Sequence, residues 1–286
     1  MFNNRTLIVG AVVVLVAIIG LGIFRKGKTA DSVTGTMVIK EDKKEVKSSG
    51  STSAQKLYDQ ATKLRDDGDL MEAKVIYQKI FNEYVDFDYI DQVQRDLEEV
   101  NLQLIFTNAK SPATVVHEVV SGDTLGELAK LYGTTIELIK RKNRLKSDVI
   151  RIGQRLSIWT SPFDILVDKS QNILMLKDKN TKEVLKVYDV STGEESSTPV
   201  GQFKVTTRLK DPVWFNRGVV VPPESPQNVL GTRWLGFDIP GYGIHGTIEP
   251  ETIGQQVTAG CVRMRNSEVE ELYSMIPLGT EVTVRD

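Results

Sequence analysis

The sequence predicts a multidomain α+β chain: an apolar N-terminal helix, a helical segment, a small strand–helix–helix–strand unit and a mostly-β C-terminal domain. Three observations carry that expectation. Residues 6–24 (TLIVGAVVVLVAIIGLGIF) hold neither a charge nor a proline. Residues 55–108 repeat apolar side chains every three or four positions, and from residue 163 the period falls to two. The length, 286 residues, suffices for about two domains. Composition removes other classes. With 40% hydrophobic and 26% charged residues, wholesale disorder is excluded. The formal net charge is −2, from 36 Lys and Arg against 38 Asp and Glu, so the basic excess of a nucleic-acid binder is missing. A single cysteine, Cys261, excludes an intrachain disulfide framework and a cysteine-cluster zinc site. Two histidines, His117 and His245, do not make a multi-histidine metal site.

At 1.5 Å per residue, residues 6–24 reach about 28 Å, close to the hydrocarbon thickness of a bilayer. The stretch outruns the apolar core of a cleaved secretory signal, and Arg25, Lys26 and Lys28 follow at once. Residues 1–28 are therefore read as a transmembrane anchor with its flanks. Residues 29–54 are polar and charged, the composition of a disordered linker that cannot offset its ordering entropy. In the next segment Leu57, Ala61 and Leu64 share one helix face, and Asp67-Gly68-Asp69 breaks the helix. Ala73, Ile76, Tyr77, Ile80 and Tyr84 form a second stripe; Ile90, Val93, Leu97, Val100 and Leu104 form a third. The spacing of Ala61, Leu64, Gly68, Asp69, Ala73 and Tyr77 resembles one tetratricopeptide repeat. Stable arrays need three or more repeats, so residues 55–108 are expected to be a TPR-like helical spacer rather than a peptide-binding groove.

Residues 114–159 read as a compact unit. A short strand at 117–120 is followed by two apparent capping boxes, Thr124 with Glu127 and Thr134 with Glu137, each opening a short helix. A second strand, 150–158, closes the unit through Gly153. His117 stands at a strand start without an evident partner and is expected to be an ordinary half-buried histidine. The text HEVVSGDTLGELAKLYGTTIELIKRKN…IRIGQRLSI resembles a lysin motif (LysM) over nearly its whole length. The resemblance implies a βααβ module that binds glycan strands of peptidoglycan. It places the contacts at Gly122, Asp123 and Thr124 after the first strand, and from Asn143 before the second.

Strand-like runs then follow at 163–168, 173–177, 183–191, 202–207, 219–221, 234–239 and 280–284. A capping box at Ser267 and Glu270 predicts one helix, ending near Met275 before Pro277. Two stretches carry chemistry: Tyr242-Gly-Ile-His245-Gly246-Thr247 and Thr258-Ala-Gly260-Cys261-Val-Arg263-Met264. They set the one cysteine 16 residues after one of the two histidines. A thiol reacts as thiolate, and a nearby imidazole can take its proton and later serve the proton of an entering or leaving amine. Gly260 would admit close backbone approach, with main-chain N–H groups available to an oxyanion. Arg263 has two readings, a positive charge for a carboxylate or a tie for its loop. By spacing alone, a lone cysteine is also compatible with a small buried hydrophobe.

The order HGT then T-x-G-C-V-R-M resembles the YkuD-type L,D-transpeptidase catalytic family. Further matches are Ser191-Thr-Gly193, Thr198-Pro-Val-Gly201-x-Phe203 and Asn228-x-Leu230-Gly231-Thr-Arg-Trp234. The similarity spans residues 163–286 and implies a β-sandwich-like domain. By the resemblance, Cys261 attacks the third residue of a stem tetrapeptide and D-Ala leaves. An acceptor amine then resolves the thioester into a 3→3 cross-link, a chemistry that the resemblance implies needs neither a metal nor an organic cofactor. His245 is the implied general base, Gly260 and Gly246 line the oxyanion region, and Thr258 and Arg263 stand beside the substrate. The chain departs from the family at Ala259, where many members carry a second histidine. The implied partners are peptidoglycan, by LysM and catalytic domain, and the membrane through the N-terminal helix, with no nucleic acid. Arg5 before the apolar segment and three cations after it favour an inward orientation by charge. The wall-directed domains favour an extracytoplasmic one, which is the reading adopted. An L,D-carboxypeptidase, in which water resolves the thioester, and a catalytically weak wall-binding scaffold are the alternatives.

Overall fold

The computed structural model describes residues 42–216 and 218–286. The apolar segment 6–24 lies outside the described residues, and within them no helix is long and apolar enough to cross a membrane. Two compact units divide at Gln103 and Leu104.

The first unit holds α1 (Asp42–Asp67), α2 (Leu70–Glu83) and the body of α3 (Ile90–Phe106). Helix α1 begins well inside the expected linker, and Ala54, assigned to that linker, is fully buried. The segment carries Lys, Glu, Ser and no proline. Once a helix is nucleated by packing, such residues extend it at one hydrogen bond per residue. The Asp67-Gly68-Asp69 break is where the sequence placed it. Ala61 and Ala73 are buried without exposure, as is Tyr77, whose hydroxyl meets Thr62 Oγ1 at 3.1 Å. Helix α3 is tied back to α1 through buried Asp96, which accepts from Tyr58 Oη at 2.8 Å and pairs with Arg65 at 3.1 Å.

The second unit begins with β1 (Thr114–Glu118), α4 (Leu125–Tyr132), α5 (Ile136–Lys142) and β2 (Arg155–Trp159). Strands β1 and β2 pair antiparallel, giving the βααβ order. Leu125, Leu128, Ala129, Ile139, Leu156 and Ile158 form its core. Thr124 caps α4 by accepting from the Glu127 N–H, as the capping box requires. The second cap is one residue later than expected: Thr135, not Thr134, accepts from Leu138 N. Lys142 is buried and donates to the carbonyls of Leu104, Ile105 and Thr107 at 2.8, 3.2 and 2.7 Å. These are orphan carbonyls at a helix C-terminus, where a cation is favoured. Burial still lowers its pKa to about 8.

The rest of the chain forms β3 (Phe163–Asp168), β4 (Ile173–Asp178), β5 (Val184–Asp189), β6 (Thr192–Gly193), β7 (Gly201–Lys210), β8 (Trp214–Asn216), β9 (Val219–Val221), β10 (Arg233–Phe237), β11 (Gly243–His245), β12 (Gln256–Thr258), β13 (Val262–Arg263), α6 (Asn266–Met275) and β14 (Glu281–Arg285). The main sheet has the order β13-β11-β10-β7-β14-β3-β4-β5. Strand β7 serves two partners in succession: Gly201 to Lys204 pair with β14, and Val205 to Lys210 pair with β10, so one long strand joins the two halves of the sheet. Strand β14 runs parallel to β3, and β11 parallel to β13. The predicted capping box of α6 is not formed. The helix starts at Asn266 with Arg265 as N-cap and no side-chain cap, so Ser267 lies within the helix.

Candidate active site

Strands β11 and β13 lie side by side in parallel, with Ile244 opposite Val262 and His245 opposite Arg263. That register brings together residues separated by a long loop. His245 ends β11, and Cys261 immediately precedes β13. His245 is 4% exposed, and Trp234, opposite it on β10, stacks on its ring at 6.0 Å between centroids with a 21° tilt. Its Nδ1 lies 2.6 Å from Gly246 O. A carbonyl only accepts, so Nδ1 carries the proton and Nε2 keeps its lone pair. Desolvation lowers the imidazole pKa to about 4; the Gly246 carbonyl opposes the shift and the Arg263 charge adds to it.

Cys261 is half-buried, its Sγ 3.4 Å from Gly241 O. Burial pushes the thiol up, against the Gly243 N–H and the Arg263 charge, which lower it. Both groups are therefore neutral near pH 7, a thiol and an imidazole rather than a preformed ion pair.

Thr258 builds the cysteine loop. Its hydroxyl donates to Cys261 O at 2.7 Å and accepts from Gly260 N at 3.2 Å. Gly260 has φ +129°, and a Cβ there would stand 2.7 Å from Tyr242 Cε1. No other residue fits that position without displacing the ring. Arg263 is buried and donates from Nη1 to Glu249 Oε2 and Thr252 Oγ1, both at 3.0 Å. Its main chain bridges Ser191 in both directions at 2.8 Å. Of the two expectations for Arg263, the loop tie is the one with contacts.

Gly260 and Gly246, expected to line the oxyanion region, both have engaged main-chain N–H groups. The N–H of Gly260 is engaged by Thr258, and that of Gly246 donates to Arg233 O at 3.3 Å. Both glycines shape the site by what they leave room for, not by a free N–H. Ala259 is exposed, so the family's second histidine position faces outward here. Tyr242 and Trp234 join the site from stretches already legible in the sequence: Tyr242 opens the histidine stretch, and Trp234 closes the one that begins at Asn228. Within the described residues no group of three His, Cys, Asp or Glu is placed to hold a metal ion.

The residues expected to hold glycan lie apart from this site, on the βααβ unit. Gly122 is exposed at φ +98°. His117 does have partners: Asp123 Oδ2 at 2.8 Å from its Nε2, and the Tyr132 hydroxyl at 3.0 Å from its Nδ1. Asp123 also accepts from Val120 N. Thr124 is occupied as a cap. Asn143 donates to Ile139 O at 2.8 Å and Ser157 O at 2.7 Å and accepts from Ser157 N at 2.7 Å. Asn143 thus joins α5 to β2 and has no N–H left for a sugar. An open groove nearby is lined by Ser147, Val149, Arg151, Ile152, Gly153 and Gln154, with Val149 and Ile152 exposed.

A thiol and an imidazole with an unprotonated Nε2, on or beside neighbouring strands, are the groups that the cysteine acyl-transfer class of proteins uses. Residues 162–284 match the family model of the L,D-transpeptidase catalytic domain, YkuD, and residues 117–159 match the LysM domain. The chain is 41% identical over 131 residues to YqjB of Bacillus subtilis, named as an L,D-transpeptidase, covering 44% of this chain and 72% of that protein. It is 30% identical over 177 residues to the similarly named YkuD of Bacillus subtilis, covering 59% of this chain and 98% of that protein. Among solved structures, an L,D-transpeptidase from Mycobacterium smegmatis aligns with TM-score 0.37 at 18% identity, over 48% of this chain and 65% of that one. The chain belongs to the YkuD-type L,D-transpeptidase family.

Proposed function

We propose that this chain cross-links peptidoglycan stem peptides outside the cytoplasmic membrane, with Cys261 as nucleophile and His245 as general base. The observation that carries the reading is the His245 tautomer: with its Nδ1 proton held by Gly246 O, Nε2 is the basic nitrogen. In the first half-reaction Nε2 takes the thiol proton as sulfur attacks the carbonyl carbon of the third stem residue. The bond to the terminal D-Ala breaks, and the imidazolium returns the proton to the leaving amine. An acceptor amine then attacks the thioester and gives its proton to His245. A new amide forms, and the thiolate departs and is reprotonated.

The rest of the chain fits that task. The LysM unit holds the enzyme on the polymer that carries its substrate, raising the local concentration of stem peptides. The groove at residues 147–154 is the surface on which we place the sugar faces, because the Asn143 side chain is spent on the fold. Residues 6–24 anchor the chain in the membrane, and the TPR-like helical unit acts as a spacer. The test is mass spectrometry of products from a disaccharide–tetrapeptide ending in D-Ala. Release of D-Ala with a cross-linked dimer, absent in Cys261→Ala, is the expected result. Tripeptide without dimer would make the enzyme a carboxypeptidase, and no turnover with a free thiol would favour a wall-binding scaffold.

A further inference from the structure

We infer that Asn266, the first residue of α6, is a positioning residue for the base His245, acting through the peptide group between Gly246 and Thr247. That peptide is held at both ends. Its carbonyl, Gly246 O, takes the His245 Nδ1 proton at 2.6 Å, and its N–H, on Thr247, donates to Asn266 Oδ1 at 3.0 Å. The same Oδ1 accepts from Thr232 N at 3.2 Å, and Asn266 Nδ2 donates to Thr247 O at 2.8 Å. Thr232 lies two residues before Trp234, the residue stacked on the imidazole. One amide side chain therefore fixes both the acceptor that sets the histidine tautomer and the strand that sets its ring plane. A hydrogen bond donated by a peptide N–H also polarises its carbonyl toward a better acceptor, so the two bonds support one another.

The space around Asn266 fits this role. A Cβ on Gly246 would fall 2.1 Å from Asn266 Oδ1, and one on Gly231 2.2 Å from the same atom. The two glycines leave a slot that the amide oxygen fills. A helix start gains nothing from this arrangement, since the N-cap of α6 makes no side-chain bond and the Asn266 amide points to the β11 exit instead.

The inference rests on His245 being the base, and its test reads that residue with and without substrate. Only two imidazoles are present, so nitrogen–proton correlation spectra of the full chain give His245 once His117→Gln has assigned the other. In the wild-type protein at pH 7 the Nδ1–H form is expected alone. In Asn266→Ala the Nε2–H form should appear, with kcat lowered by about 10- to 100-fold and KM nearly unchanged, part of the range a positioned base contributes. An unchanged tautomer would overturn the inference, whatever the activity. Asn266→Asp keeps the acceptor oxygen but sets a second oxygen against Thr247 O. Only its protonated carboxyl reproduces both bonds, so its kcat should fall with rising pH through the carboxyl titration, a limb the wild-type enzyme lacks. If the alanine variant does not fold, this decides the matter: a wild-type pH profile and tautomer in Asn266→Asp would overturn the role. A tautomer shift without any wild-type turnover would leave the positioning intact and remove the transpeptidase reading instead.

Discussion

At His245, desolvation outweighs the favourable Gly246 carbonyl and leaves a pKa near 4, while at Cys261 the same burial drives the thiol upward. The sign of the resulting pH dependence follows from linkage. An unfolded histidine takes a proton below about pH 6.5, and the folded one only near pH 4. Stability is thus full above pH 6.5 and is lost as pH falls toward 4, by on the order of 3 kcal/mol. Urea unfolding at pH 7, 5.5 and 4.5 should show this loss, reduced in His245→Gln. For the thiol, iodoacetamide alkylation should stay slow at pH 7 and keep rising past pH 9; a plateau below pH 8 would mean a preformed thiolate. Gly260→Ala is the sharpest steric test. With φ +129° and the Tyr242 ring 2.7 Å from the new Cβ, it should cost about 1–3 kcal/mol and abolish acyl transfer.

Between β7 and β10, a short hairpin of β8 and β9 carries exposed Phe215, Val219 and Val220. It is tethered by buried Asn228, whose Nδ2 donates to Pro212 O at 2.8 Å and Pro222 O at 3.1 Å, and whose Oδ1 accepts from Leu230 N at 3.0 Å. Asn228→Ala leaves buried carbonyls unpaired, so cleavage by a nonspecific protease should move into residues 212–230 while β3, β4 and β5 stay resistant. Elements of this kind divide what the sequence could disclose. Strands whose burial alternates, such as β3 and β14, were legible from period and β-branched content, because burial itself writes that pattern. Helix starts were legible only where one candidate cap existed. At Thr134-Thr135 two hydroxyls competed, and at α6 a Ser-x-x-Glu spacing sat inside a helix whose first turn is used elsewhere. That Cys261 and His245 come to neighbouring strands was legible through their motif. The Asn266 amide was not, because its partners are backbone groups from Thr232 and Thr247, and no residue pattern marks a main-chain contact across the fold.

The LysM and catalytic parts of the second unit form one body with specific contacts. Arg208 on β7 donates to Glu137 Oε2 at 3.1 Å and to Tyr273 O at 2.8 Å, with its guanidinium 4.2 Å from the Tyr273 ring centroid. The Thr135 hydroxyl bonds Ser274 O, and Trp159 stacks on Phe163 at 5.9 Å across the short connection. A docked glycan module presents the cysteine at a fixed offset from the bound strand, which a flexible linker would not. Arg208→Ala should therefore reduce turnover of polymeric wall more than turnover of a soluble stem peptide, with sedimentation on wall material unchanged. Equal losses on both substrates would place the effect in the catalytic part alone.

The central claim is that Cys261 accepts the acyl group while His245 removes its proton, and intact-protein mass spectrometry after brief incubation with the tetrapeptide donor tests it most directly. The account predicts an added mass equal to the donor less D-Ala, mapped by peptide analysis to Cys261, absent in Cys261→Ala and much slower to form in His245→Ala. An unmodified protein with its thiol titrating as free, or an adduct that forms equally fast without His245, would contradict it.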